Sequence, residues 1–348
     1  MTPGGAATLT IDTWSDAAAW DRYVDRHPDA SGYHLWDWRR VFAGVFGHET
    51  PYLAATRHDA LVGVLPLVAF QSAIFGRFLV SLPFVNYGGV LADDQAIAVA
   101  LVEHAGSLAR RMRARHVELR HRERRFENLT PKQHKVAMVR ALPPTADELW
   151  TTLDRKVRNQ VRKAEKSGLT AVIGGAELLP EFYAVFARNM RDLGTPVYSP
   201  RLFATVCEVF PDRAATVVVR HEQRPVAAAV TWRWRQRVEV PWASSLREFN
   251  SLAPNNQLYW TILQRAIAVG AAELDFGRST PNEGTYHFKK QWGAEPSALY
   301  WEYDVVAGRG LPDQSPKNPK FGLAIKLWQR LPVPIANVLG PPIVRCIP

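Results

Sequence analysis

The same order of elements occurs twice along the chain, and this repetition restricts the fold more than any other feature. In the first half, helical spacing over residues 15–26 and 36–46 gives way to strand-like runs at 52–57 and 61–70, separated by His58-Asp59-Ala60. A strand at 78–82, a glycine turn at Asn86-Tyr87-Gly88-Gly89, a helix over 95–113 and a short strand at 116–120 follow. The second half repeats the series, with a helix at 200–210, a strand at 216–220, a turn at 221–224 and strands at 226–234 and 238–243. A helix at 256–269 and a strand at 273–276 complete it. Arg57-His58-Asp59 falls against Arg220-His221-Glu222, and His116-Val117-Glu118-Leu119 against Ala272-Glu273-Leu274-Asp275, at nearly the same offset. A duplicated domain accounts for the shared order. Pro143-Pro144 breaks the pattern and sets the expected boundary, with domains over 1–144 and 145–310 and a tail over 311–348.

At 348 residues, 47% of them hydrophobic, the chain is long and apolar enough for two folded domains, which excludes general disorder. Its 43 Lys and Arg against 33 Asp and Glu give a net charge of +10. That balance favours phosphate-bearing partners such as nucleotides, tRNA or an anionic membrane face. Cys207 and Cys346 are too few for a disulfide framework or a cysteine metal site, so a reducing cytoplasm is expected. The first sixteen residues place no basic residue ahead of an apolar core, and the longest apolar runs fall short of the roughly 18 residues a membrane span needs. Export and integral insertion are therefore not expected. The 12 tryptophans read chiefly as core, since Trp232 and Trp234 alternate in a strand.

No Walker loop, dinucleotide glycine fingerprint, zinc-type histidine pair or G-x-S-x-G elbow occurs, which counts against nucleotide hydrolysis, hydride transfer and serine hydrolysis. Two other segments carry chemistry. Between Asp154 and Lys166 six Lys and Arg stand against two acids, while Val157, Val161 and Ala164 form a thin apolar stripe ended by Gly168. This is a cationic helix, either a solvated face or a phosphate site using Arg158, Arg162 and Lys163. Further on, the strand ending at Phe276 passes through Gly277 into a polar loop with Arg278, Ser279 and Asn282, and then a short helix bearing Tyr286, Lys289 and Lys290. Helical spacing puts Tyr286 and Lys289 on one face and Lys290 about a quarter-turn away. One lysine can thus face a cleft while its neighbour meets solvent.

Together, the duplication, the basic helix from Lys156 to Gly168, and Asp275-Phe276-Gly277-Arg278-Ser279 leading to Tyr286-His287-Phe288-Lys289-Lys290-Gln291-Trp292-Gly293 resemble the FemAB-type peptidyltransferase branch of the GNAT-like acyltransferases. The likeness runs from about Leu9 to Val305. It is nearest to FemAB-like proteins associated with exopolysaccharide and the PEP-CTERM sorting system. It implies an α+β fold of two tandem GNAT-like domains, with mixed, mainly antiparallel sheets flanked by helices, that transfers an activated acyl or aminoacyl group to an amine of an envelope or exopolysaccharide precursor. It also implies a catalytic set of Lys289, Tyr286 and Asp275, in which Lys289 supports the donor and the developing oxyanion. Arg278, Ser279, Asn282, Lys290, Arg158, Arg162 and Lys163 would bind substrate.

The coenzyme A pyrophosphate loop of ordinary GNAT enzymes is missing, with Gln264–Gly270 taken as its counterpart in the second half. No cofactor is therefore expected, and aminoacyl-tRNA is the favoured donor. A phosphate lysine found near the N-terminus of some cross-bridge enzymes has no clear counterpart at Trp36-Asp37-Trp38-Arg39-Arg40. From another class, a non-catalytic module holding RNA or a glycan-lipid fits the same basic surface. The tail over 320–331, apolar with interspersed basic residues, suits either docking on the second domain or lying on the inner face of the cytoplasmic membrane.

Overall fold

The computed structural model describes residues 8–72, 76–306 and 322–347. Residues 1–7, Lys320, Phe321 and the expected boundary at 310/311 lie outside this range. Contacts divide the chain into two compact units. One runs to Gln133 and includes the strand Tyr300–Val305; the other spans His134–Ala298 and takes in the C-terminal helices. Pro143-Pro144 thus lies inside the second unit. No helix among the described residues is long and apolar enough to cross a membrane.

The first unit begins with β1 (Thr10–Thr13), α1 (Ala17–Arg26), α2 (Trp38–Phe46), β2 (Leu53–Arg57), β3 (Ala60–Leu65), β4 (Val68–Ser72) and β5 (Gly76–Val80). It continues through β6 (Leu91–Ala92), α3 (Gln95–Arg111), β7 (His116–His121) and β8 (Thr130–Lys132). The second unit holds β9 (Val136–Ala141), α4 (Ala146–Thr152), α5 (Arg155–Lys166), β10 (Leu169–Gly174), α6 (Leu179–Leu193), α7 (Pro200–Val209), β11 (Ala214–His221), β12 (Arg224–Trp234) and β13 (Arg237–Ser245). Then come α8 (Pro254–Ala268), β14 (Glu273–Ser279), α9 (Gly284–Gln291) and β15 (Glu295–Ala298). The chain returns to the first unit as β16 (Tyr300–Val305), and α10 (Gly322–Trp328) and α11 (Val333–Val344) belong to the second.

Two sheets, β1-β2-β3-β6 and β4-β5-β7-β16-β8, build the first unit, and one sheet of order β10-β11-β12-β13-β14-β9-β15 builds the second. Helix starts follow side-chain capping: Asp16 accepts from the Ala19 amide at 3.0 Å and Asp94 from that of Ile97 at 2.8 Å. The expected single strand at 61–70 is instead two strands in different sheets. Pro66 lies between them and offers no N–H to a continuous ladder.

The units share two local devices. The β2–β3 hairpin turns at His58-Asp59 and the β11–β12 hairpin at Glu222-Gln223, all four with positive φ, as a two-residue turn matching strand twist requires. The second turn therefore falls one residue later than the alignment of His221-Glu222 with His58-Asp59 places it. Each unit also contains a parallel strand pair flanking a helix, β5 with β7 around α3 and β13 with β14 around α8. Tryptophan is mainly core, with Trp20, Trp38, Trp232 and Trp292 almost fully enclosed.

The first unit is tied together by a buried polar knot. The Glu302 carboxylate on β16 accepts from His121 Nδ1 at 2.7 Å and from the Phe126 amide at 2.8 Å. Burial lowers the His121 pKa, so the ring is neutral, and its Nε2 accepts from the Val90 amide at 3.0 Å, leaving the proton on Nδ1 facing Glu302. Glu302→Ala would orphan several buried donors. It should destabilise the first unit by roughly 2–3 kcal/mol, measured as the free energy of its denaturant-induced unfolding transition; an unchanged transition would show that the knot contributes nothing.

Candidate active site

Strand β14 is where the second sheet opens. Its parallel ladder with β13 registers only Arg237–Glu239 with Glu273–Asp275. Beyond that, β13 follows β12 as far as Ser245, whereas β14 stays on β9 as far as Ser279. Gly277 sits where the strands part. Its φ is +78°, and a Cβ there would meet the Val240 carbonyl oxygen at 2.9 Å, so a side chain is excluded both by backbone conformation and by space. The β14–β9 register shifts between Asp275 and Arg278, a bulge that re-aims the residues following Asp275.

Helix α9 lies over this bulge because its aromatic residues are pinned. Tyr259 on α8 stacks on Phe276 of β14 with centroids 5.2 Å apart and meets Phe288 of α9 at 5.4 Å, while Trp292 is fully buried. With Phe288 and Trp292 fixed one turn apart, Lys289 is carried inward and is only 8% exposed. Its Nζ donates to the carbonyl oxygens of Gly277 at 3.0 Å and Arg278 at 2.9 Å. An ammonium has three donors, so one N–H is left over. Lys290 lies on the exposed side of the helix.

Asp275 is fully buried, with one carboxylate oxygen accepting from the Gly277 amide at 2.7 Å and Oδ2 without a hydrogen-bond partner. Burial pushes its pKa up to about 6, against the opposing pull of the Gly277 amide and of the Lys289 charge. Burial likewise pushes Lys289 down to about 8; the Asp275 carboxylate resists that shift and Arg278 adds to it. Two neighbouring ionisable groups brought to either side of neutrality by burial are arranged for proton movement or charge stabilisation near pH 7. Ser279 is buried with its Oγ unpartnered, Arg278 is half-buried, Asn282 is exposed in the loop with positive φ, and Tyr286 is half-buried.

The cationic helix contributes differently. Val157, Val161 and Ala164 are buried and pack α5 on α8. Arg162 lies over the Trp150 ring at 5.4 Å, Arg158 is half-buried with its Nε enclosed and unpartnered, and Lys163 is exposed. A cavity of about 610 Å³ opens between the start of α5, β9 and the end of α9. Lys156 and Lys290 line it, with Arg140 and Glu295, but Lys289 and Asp275 do not. The sequence singled out neither Arg140 nor Lys156 as a site residue. It also missed Glu239, almost fully buried and the register partner of Asp275 across the β13–β14 ladder; the one signal was an acid inside the apolar run Val238-Glu239-Val240. Gln264–Ala268 is the last turn of α8, not its N-terminus, so it is not the counterpart of a phosphate loop. The turn that does lead into α8, residues 246–253, has no glycine, and its Glu248 is paired with Arg188 at 3.1 Å and Arg224 at 2.5 Å.

Residues 153–290 match the model of the acetyltransferase (GNAT) domain family. Among solved structures, the chain is similar to the crystal structure of FemX, with 14% identity and a TM-score of 0.65 over 86% of this chain and 97% of that one. The chain has a GNAT/FemAB-like acyltransferase fold. The same fold is seen in a tandem GNAT protein from the clavulanic acid biosynthesis pathway, at 11% identity and a TM-score of 0.56 over 87% of this chain and 100% of that one. It is seen again in L-PGS from Bacillus licheniformis, at 12% identity and a TM-score of 0.55 over 92% and 98%. No curated protein matches the chain in sequence.

Two outcomes follow from the pairing of Lys289 with Asp275 at the Gly277 bulge. Asp275→Asn removes the charge that holds Lys289 protonated, so the titration of Lys289, followed by NMR of the isotopically methylated amine, should move below about 8; an unmoved titration would break the assigned coupling. Gly277→Ala should cost at least about 1–2 kcal/mol from the left-handed backbone alone, seen in denaturant unfolding.

Proposed function

We propose that the chain is an N-acyltransferase that moves an activated acyl or aminoacyl group onto an amine, with the reaction centred on Lys289 in the second of two tandem GNAT-like domains. The observation that carries this reading is the buried Lys289, held by two carbonyls with one N–H uncommitted, at the point where β13 and β14 part. The matched hairpin turns and the parallel strand pair flanking a helix in each unit support tandem organisation.

The chemistry needs little beyond this. A neutral amine attacks the ester or thioester carbon, and negative charge builds on the carbonyl oxygen, which accepts from the free N–H of Lys289. Collapse breaks the bond to the leaving oxygen or sulfur, which takes up the proton given up by the attacking nitrogen. Asp275 keeps Lys289 charged in its buried setting, Tyr286 and Arg278 flank the reacting groups, and Ser279 and Asn282 contribute polar contacts to the substrate. No covalent intermediate on the protein is required.

The finer assignment follows the basic surface. We place aminoacyl-tRNA as donor because the turn before α8 lacks a glycine cradle for a pyrophosphate and is occupied by the Glu248 ion pairs. Arg158, Lys163 and Lys290 supply phosphate contacts, with Arg162 fixed on Trp150 beside them. The acceptor is the amine of an envelope or exopolysaccharide precursor, handled in the cytoplasm; the motif resemblance supports this assignment.

Three measurements test the reading. Lys289→Met should lower acyl transfer by on the order of a hundredfold or more, the loss expected for one oxyanion donor, while Lys290→Ala changes it by only a few-fold; equal effects would refute a single inward lysine. In wild type, kcat/KM should fall above about 8 as Lys289 loses its proton, and a profile flat through that range would contradict the assignment. Calorimetric titration should show salt-sensitive binding of aminoacyl-tRNA and none of acetyl-coenzyme A; the reverse result would keep the transferase and overturn the donor.

A further inference from the structure

The two C-terminal helices have one face seated on the second unit and another that nothing among the described residues covers. On the inner side, a Cβ on Gly194 would meet Ile325 Cγ2 at 2.5 Å, and one on Gly340 would meet the Val197 backbone at 2.8 Å. Arg191 donates to the Leu331 carbonyl at 2.7 Å and Gln329 to that of Asp192 at 3.2 Å, so the pair is fixed to the end of α6. Ala336, Gly340 and Val344 form the buried stripe of α11. The docking half of the expectation for the tail is therefore seen directly.

The outer side is apolar. Leu323 is 71% exposed and Val338 73%, and Leu327, Ile335, Leu339 and Ile343 are exposed with them. At 100° per residue, Ile335, Val338 and Leu339 fall on one side of α11, away from its buried stripe, and Ile343 borders that stripe. On α10, Leu323 and Leu327 share the outward arc with Lys326, and Arg330 continues it. From Gly322 to Ile347 the chain contains no Asp or Glu, while Lys326, Arg330 and Arg345 are all exposed. Apolar side chains standing out of a rigid support, interspersed with cations and free of acids, have the chemistry of a surface that enters the headgroup layer of an anionic bilayer.

We propose that α10 and α11 form a peripheral docking face for anionic lipid bilayers, with Leu323, Leu327, Val338 and Leu339 entering the interface and Lys326 and Arg330 contacting lipid phosphates. This face holds the second unit against the membrane surface without crossing it. Binding here does not depend on the acyl-transfer reading, because the site near Lys289 plays no part in it.

Co-sedimentation of the full chain with vesicles tests it. Vesicles of equal phosphatidylglycerol and phosphatidylcholine should bind the protein, binding should weaken with added salt, and phosphatidylcholine alone should bind far less. Leu327→Ser with Val338→Ser, and separately Lys326→Glu with Arg330→Glu, should each weaken binding by roughly tenfold or more. All four residues are exposed, so the thermal midpoint and Lys289-dependent transfer should stay as in wild type. No binding to anionic vesicles, binding that both double variants retain, or a concentration-dependent dimer abolished by Leu327→Ser with Val338→Ser would overturn the proposal.

Discussion

Burial of a lysine beside an aspartate is the interaction around which the second unit is arranged. A lysine ammonium is costly to remove from water unless its donors are met and an opposite charge lies near. Lys289 has the charge nearby and two of its three donors met, because the bulge at Gly277 turns two successive carbonyl oxygens toward its amine. The remaining imbalance is visible in the two pKa shifts, which run toward each other and leave both groups titrating near neutrality. The arrangement in turn requires that α9 not slip. The stack of Tyr259 on Phe276 and Phe288 supplies that restraint, and connects α8 to the strand end it overlies.

The strand opening and the bulge are two expressions of one constraint. A parallel pair whose ladder registers three residues and then parts leaves backbone groups that need other partners. On β14 those partners come from β9 on the opposite edge and from the Lys289 amine. The sheet can therefore open without orphaning its backbone. The lysine consequently supports the fold, which is why an isosteric apolar replacement tests its charge with less loss of packing than alanine does.

Much of this was legible in the sequence, for particular reasons. Gly277 after an acid-bearing strand, and a lysine pair straddling a helix face, have local signatures, and α5 declared itself through Val157, Val161 and Ala164. The hairpin turns were also visible, though a one-residue slip at Glu222-Gln223 remained, because His, Glu and Gln carry little turn preference to fix the register there. Other features were hidden. β9, whose Val-Ala-Met-Val-Arg-Ala run lies between β14 and β15, lacks the alternation of a half-exposed strand, and β10 and α6 likewise went unread. Glu239 gives no local hint that its register partner is Asp275, since that pairing joins residues separated by the whole of α8. Return of the chain to the first unit as β16 is a long-range pairing of Tyr300–Val305 with β7 that no window of sequence contains.

The two units differ in how the buried charge on a parallel-paired strand is met. Strands β7 and β14 occupy matching places, each paired in parallel across a helix, and both carry buried charge. On β7 much of that charge is met internally: Arg120 donates to Glu118 at 2.7 Å and lies over the Trp301 ring at 4.1 Å, with its Nη2 unpartnered, while His121 is committed to Glu302. On β14, Asp275 keeps an unpartnered oxygen, Ser279 an unpartnered hydroxyl and Lys289 a spare N–H. Unmet polar groups in a packed interior are unfavourable, and they persist most readily where a bound group completes them. Unmet polar groups thus occur on both strands, and those on β14 lie on the strand whose carbonyls hold the buried Lys289.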